Sequence, residues 1–152
     1  MQRPTSAQLR PDFAGIWQAN FEKSVLCGLP PRQILHRIEH REPHLDQEIL
    51  VAQASGDEQR LIFSYKTTGD ETTNSVGDRT ARTRARWDGA ELVIESWLET
   101  PDRQLHFKDH WSLSDDGQTL TMAHRDDDLA GQIVVHDKAS PHAATKFARK
   151  ER

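Results

Sequence analysis

Short runs in which polar and apolar side chains alternate recur about every 10 to 13 residues through most of this chain, separated by turn-forming residues. A period of two marks a strand with one dry face, and no window carries a long 3.6-residue period to compete with it. The clearest unit runs from Gln104 to Ser114, turns at Asp115-Asp116-Gly117 and returns from Gln118 to Arg125. Asp-Gly supplies the positive φ that tight hairpin turns demand. Trp87-Asp88-Gly89 joins Arg79–Trp87 to Glu91–Thr100 in the same way, and further strands are predicted at Phe13–Ala19, Gln33–Glu42, His44–Gln53, Arg60–Lys66, Glu71–Ser75 and Gln132–Asp137. Eight to ten strands in sequence, each with one apolar face, cannot leave that face wet. With no long amphipathic helix to cover it, closure into an all-β antiparallel meander barrel is favoured because it also removes both sheet edges; a two-sheet sandwich is the alternative.

At 152 residues the chain is one domain. The barrel is expected over residues 12–138, with a polar, Pro-bounded tail at 1–11 and an Ala-, Lys- and Arg-rich tail at 139–152. Hydrophobic residues make up 35% and charged residues 29%, and the formal charge is −4, so no basic field exists to collect nucleic acid or anionic lipid. Cys27 is the single cysteine, which excludes an intrachain disulfide and a cysteine-based zinc site. No apolar run reaches the ~18 residues a membrane span needs, so a soluble chain is expected, exported only if a leader preceded it. A homodimer is compatible with everything above.

Several segments carry a family likeness: Gly15-Ile-Trp17 with the residues following to Ser24, Leu29-Pro-Pro31, Ile38 to Pro43, Thr67 to Asn74, Trp87-Asp-Gly89, Leu92 to Ser96, and Trp111 to Thr121. Together they resemble a family of bacterial lipocalin-like (calycin-type) domains, mostly exported and of unassigned function, across roughly residues 13–137. The resemblance implies the barrel, with Trp17 closing one end, and implies no catalytic set. The Thr-Asp-Tyr block and the disulfide cysteines of true lipocalins are absent.

Alternation also assigns faces, and it places polar groups among apolar ones. His36 and His40 share a face with Ile34 and Ile38; Asp109 lies with Leu105, Phe107, Trp111 and Leu113; His124 lies with Leu120 and Met122; Tyr65 follows Leu61 and Phe63. His36, His40, Tyr65, Asp109, Trp111 and His124 are therefore the candidate ligand-binding residues, and a bond from Asp109 to His124 or to His40 would equally serve to repair the cost of burial. Small inward residues at Ala81, Thr83 and Ala85 leave room in the lumen. Arg79, Arg82, Arg84 and Arg86 read as a solvated stripe paired to Glu91, Glu95 and neighbours. His36 and His40 lie ~13 Å apart on one strand, too far to share a metal ion, and no metal or other cofactor is expected.

No Gly-x-Ser-x-Gly, phosphate-binding loop or dinucleotide fingerprint is present. The expectation is a binder of a small hydrophobic or amphipathic molecule in the lumen. The alternatives are a small barrel enzyme, an isomerase, cyclase or hydrolase using lumen His and Asp, and a structural or protein-interaction barrel without a ligand.

Overall fold

A computed structural model of the chain describes residues 10–126 and 131–148. It contains ten strands, β1 (Gly15–Val25), β2 (Gln33–Arg41), β3 (His44–Ala52), β4 (Glu58–Lys66), β5 (Thr68–Val76), β6 (Arg79–Asp88), β7 (Glu91–Glu99), β8 (Gln104–Leu113), β9 (Thr119–Asp126) and β10 (Gln132–Lys138), followed by one helix, α1 (Pro141–Ala148). All strand pairs are antiparallel, in the order β4-β3-β2-β1-β10-β9-β8-β7-β6-β5. The sheet is an almost closed meander barrel, and both expected Asp-Gly hairpins are present, with Gly89 and Gly117 at φ +63° and +73°.

Closure differs in kind from the complete ladder expected. β4 and β5, joined through Thr67, stand at the two ends of the strand order, and side chains bridge the seam between them. Ser64 N–H donates to Asn74 Oδ1 at 2.7 Å, while Asn74 Nδ2 donates to Ser64 O at 3.1 Å and to Thr83 Oγ1 at 2.8 Å. Thr72 Oγ1 adds a bond to Ser64 O at 3.0 Å. Asn74 is only 6% exposed, so its amide replaces ladder bonds in a place where unpaired backbone groups are costly. Asn74→Leu is expected to cost about 1–3 kcal/mol by stranding the Ser64 backbone groups, and chemical denaturation measures it.

Inward faces follow the alternation. The core gathers Trp17, Ile38, Leu45, Tyr65, Ala85, Leu92, Ile94, Trp111, Leu120 and Met122 around Phe13. Phe13 is not part of a strand, contrary to the predicted Phe13–Ala19. Gly15, at φ +143°, turns the chain ahead of β1, and Trp17 Nε1 donates to Phe13 O at 3.0 Å, which folds Phe13 over the barrel end. A side chain at Gly15 would require a backbone geometry that L residues rarely adopt and would also press on Lys138 Nζ at 3.0 Å.

The C-terminal segment expected as a tail instead carries α1. Ser140 Oγ caps it by accepting the Ala143 N–H at 3.1 Å, and Pro141 occupies the first turn, where its missing N–H costs nothing. Ala143 and Phe147, one helical repeat apart, bury themselves on the outer face of β1–β3 against Leu35, Leu50 and Ile16. Arg37 stacks over the Phe147 ring at 5.5 Å and pairs with Glu48 at 2.6 Å; Glu48 also pairs with Arg60. Of the segments expected as tails, residues 1–9 and 149–152 lie outside the described residues. No helix among the described residues is long and apolar enough to cross a membrane.

On the outer face, Arg82 and Arg84 pair with Glu71 of β5 at 3.4 and 3.7 Å, not with Glu91 and Glu95 as the sequence suggested. Those two acids hold His110 and His106, at 3.0 and 2.9 Å. Register offers Arg84 two acids, Glu71 on β5 and Glu95 on β7; Glu95 is taken by His106, while the Glu71 carboxylate reaches both Arg84 and Arg82 one pleat on.

Candidate functional site

The two ends of the barrel are built differently. At the end where β1 begins and β2 finishes, Phe13, Trp17, Leu45, Leu92 and Leu120 are all fully buried. Phe13, His40 and Trp87 pack as a triangle of near-parallel rings, with centroids 5.8 Å from Phe13 to each of the others and 6.0 Å between His40 and Trp87, and Phe13 meets Trp111 edge-on at 5.7 Å. At the opposite end Ile34, Val51, Leu61, Leu98, Leu105 and Phe107, which share the inward alternation, are only half-buried. The barrel is therefore sealed at the Phe13 end and less completely buried at the other.

The candidate polar residues do not converge on one point; they form three groups. The first belongs to the plug. Phe13 N–H donates to His40 Nδ1 at 3.1 Å, which places the ring proton on Nε2 for donation to Glu42 Oε1 at 2.8 Å. Glu42 also accepts from Trp87 Nε1 at 3.0 Å and Thr67 Oγ1 at 2.6 Å. Burial pushes the Glu42 carboxyl up, but the donors Thr67, His40 and Trp87 outweigh it and hold the group below the usual carboxylate range. His40 thus latches Phe13 in place, and Trp111, 3% exposed, floors the lumen beneath it.

The second group is a buried chain of neutral groups. Tyr65 O–H donates to Gln47 Oε1 at 3.0 Å, so the Gln47 amide nitrogen faces His36 and donates to its Nδ1 at 3.0 Å. The His36 ring meets His136 edge to face at 4.7 Å, and His136 Nδ1 donates to Leu120 O at 3.0 Å. Burial raises the Tyr65 phenol, drives His36 well below its ordinary value and lowers His136 to about 4, so the chain is uncharged at neutral pH. His136 Nε2 is a buried acceptor with no partner among the described residues. The sequence reading singled out neither Gln47 nor His136. Both obey the same alternation, Gln47 between Leu45 and Ile49 and His136 beyond Val134, and extending the face assignment to β3 and β10 would have found them.

The third group is Asp109 and His124. They are direct cross-strand partners on β8 and β9, and His124 Nδ1 donates to Asp109 Oδ1 at 2.6 Å. Phe107 stacks on the His124 ring at 5.3 Å. The Asp109 bond raises the histidine pKa against the opposing effect of partial burial. With side-chain exposures of 41% for His124 and 25% for Asp109, this pair is reached by solvent, unlike the sealed core. Among the described residues no cluster of three or more His, Cys, Asp or Glu could hold a metal ion.

No family model matches the sequence, and no curated protein matches it. Among solved structures the fold is shared with two secretory abundant heat soluble (SAHS) proteins of Ramazzottius varieornatus. One, crystallised from a dimer sample, is 14% identical, with 86% of this chain and 98% of that one covered and a TM-score of 0.63. The other, SAHS protein 4, is 16% identical, with coverages of 92% and 100% and a TM-score of 0.59. A fatty-acid-binding protein of Manduca sexta is also similar, at 14% identity, coverages of 84% and 100% and a TM-score of 0.48. At these identities the two SAHS structures show a shared barrel fold and nothing finer.

Proposed function

We propose that this protein binds one small hydrophobic or amphipathic molecule in the less buried half of the lumen, with the Asp109–His124 pair orienting its polar end. The observation that carries the reading is the asymmetry of the interior. A barrel serving only as scaffold would bury its inward apolar side chains along its whole length, whereas here Ile34, Val51, Leu61, Leu98, Leu105 and Phe107 are only half-buried while the Phe13 end is sealed. Exposed apolar surface facing a concave, partly closed space with a few polar groups is the usual make-up of a ligand site.

The test is a titration with the neutral dye Nile red. One dye per chain should bind saturably, and Leu105→Glu, which puts a charge on the half-buried wall without touching the plug, should weaken binding about tenfold or more. Non-saturable binding, or a Leu105→Glu variant indistinguishable from wild type, would overturn the reading.

A second reading, a small barrel enzyme, is favoured by one observation: the His124–Asp109 bond is short and reachable from solvent, the geometry of a general base with its orienting carboxylate. Mass spectrometry separates the two readings. A molecule that stays bound through prolonged incubation with unchanged mass is being carried, and one recovered as an isomer or hydrolysis product has been turned over.

A further inference from the structure

The outer face of the barrel near its less buried end holds a second concave feature. A groove of about 340 Å³ is lined by Lys108 and His110 of β8, Ala123, His124 and Arg125 of β9, Gly131 just before β10, and Gln132 and Ile133 within it. On β8 and β9 the side chains of Lys108, His110, Ala123 and Arg125 alternate with those of Phe107, Asp109, Met122 and His124, so both cations stand on the face of the sheet opposite the core, and the reading does not rest on lumen binding.

Its charges are arranged against the ordinary rule. Lys108 and Arg125 are direct cross-strand partners, and like charges directly opposite each other destabilise a sheet. The acid that register offers Lys108, Glu95 on β7, bonds His106 Nε2 instead, and Glu91 bonds His110. Neither Lys108 nor Arg125 has a hydrogen bond or ion pair among the described residues. Gly131 leaves the wall beside Arg125 low: a Cβ there would meet His124 O at 3.3 Å and Arg125 Cβ at 4.0 Å. Beside the cations lies an apolar wall, since Ala123 is half-buried and Ile133 is 42% exposed.

We propose that this groove binds a small organic anion, its carboxylate or phosphate held between Lys108 and Arg125 and its flat apolar part laid on Ala123 and Ile133. Two converging cations supply what an anionic head needs, and an anion bound there removes their mutual repulsion. The volume lies at the lower end of the range of small-molecule sites, which suits a single ring.

Amide chemical-shift titration of the 15N-labelled chain tests this with phenyl phosphate, inorganic phosphate and benzyl alcohol as probes. Phenyl phosphate should give saturable shifts at Lys108, Ala123, Arg125, Gly131 and Ile133, weaker at high salt, and bind more tightly than inorganic phosphate; benzyl alcohol should give none. The Lys108→Gln, Arg125→Gln double variant should lose about tenfold or more in affinity while Nile red binding in the lumen is unchanged. A second readout needs no ligand: Lys108→Gln alone should raise Tm in anion-free buffer, and phenyl phosphate should raise the Tm of wild type but not of the double variant. Absence of saturable shifts, an equal response to benzyl alcohol, no preference for the ring over inorganic phosphate, or wild-type affinity in the double variant would each overturn the proposal.

Discussion

Phe13→Ala should lower folding stability by about 3–5 kcal/mol. Phe13 is fully buried although it lies outside every strand, and it packs against the rings of His40, Trp87 and Trp111. Both of its backbone polar groups are used as well, the N–H by His40 and the carbonyl by Trp17. Alanine keeps those two bonds and removes only the ring, so the loss reports the cavity left among the aromatics. Phe13→Leu, which refills most of that space, should cost much less. Urea unfolding measures both, read as a change in midpoint at constant m-value. If the alanine variant unfolded at the wild-type midpoint, Phe13 would not be the plug described.

Acid should destabilise the protein steeply below neutrality, with His136 alone accounting for about 3 kcal/mol between pH 6.5 and pH 4. The unfolded chain takes up a proton on this residue near 6.5, whereas burial keeps the native imidazole neutral until about 4. Above 6.5 both states are unprotonated and the residue adds no slope. Through the window the unfolded state binds the extra proton, so stability falls as pH falls. His36, held down by burial and by the neighbouring His136, acts in the same direction and extends the loss. His124 has the opposite sign: Asp109 raises its pKa, so its contribution is complete below 6.5 and disappears as pH rises through the raised value. That pair is partly exposed and screened, so the two buried histidines dominate the acid limb. His136→Phe should flatten the stability profile between pH 4 and 6.5 by close to one proton, and a variant profile parallel to wild type would refute the assignment.

These two expectations show how unevenly the chain's properties can be read before it folds. Alternation specified which way each strand's side chains point, and His36, Tyr65 and Trp111 are buried as it implies, with the His40 ring packed on Phe13. It could not say which of those residues meet. Along a barrel wall, residues on the same inward face are separated by the strand rise and by the stagger between strands, so a common direction does not imply contact. Only the Asp109–His124 pair was within reach of sequence reasoning, because a single Asp-Gly turn sets its register. The chain from Tyr65 to His136 crosses β4, β3, β2 and β10, whose mutual register depends on closure of the whole sheet.

The helix α1 was legible in principle, in Ser140-Pro141 and the spacing of Ala143 and Phe147, yet eight residues offer too little periodicity to stand against a charged, Ala-rich background. What it packs on was beyond the sequence, because Leu35 and Leu50 are outward residues that alternation assigns to solvent until a helix covers them.

The sequence by itself determined the antiparallel meander, its two Asp-Gly turns and its inward faces, since these depend on period and local backbone chemistry. Tertiary structure alone decided that one end is sealed by Phe13 and the other less completely buried, that the β4–β5 seam is closed through Asn74, and that Lys108 faces Arg125 without an acid between them. Each of those requires distant strands to be brought to a definite stagger, and that stagger is set by closing and filling the barrel, not by any residue's own propensity.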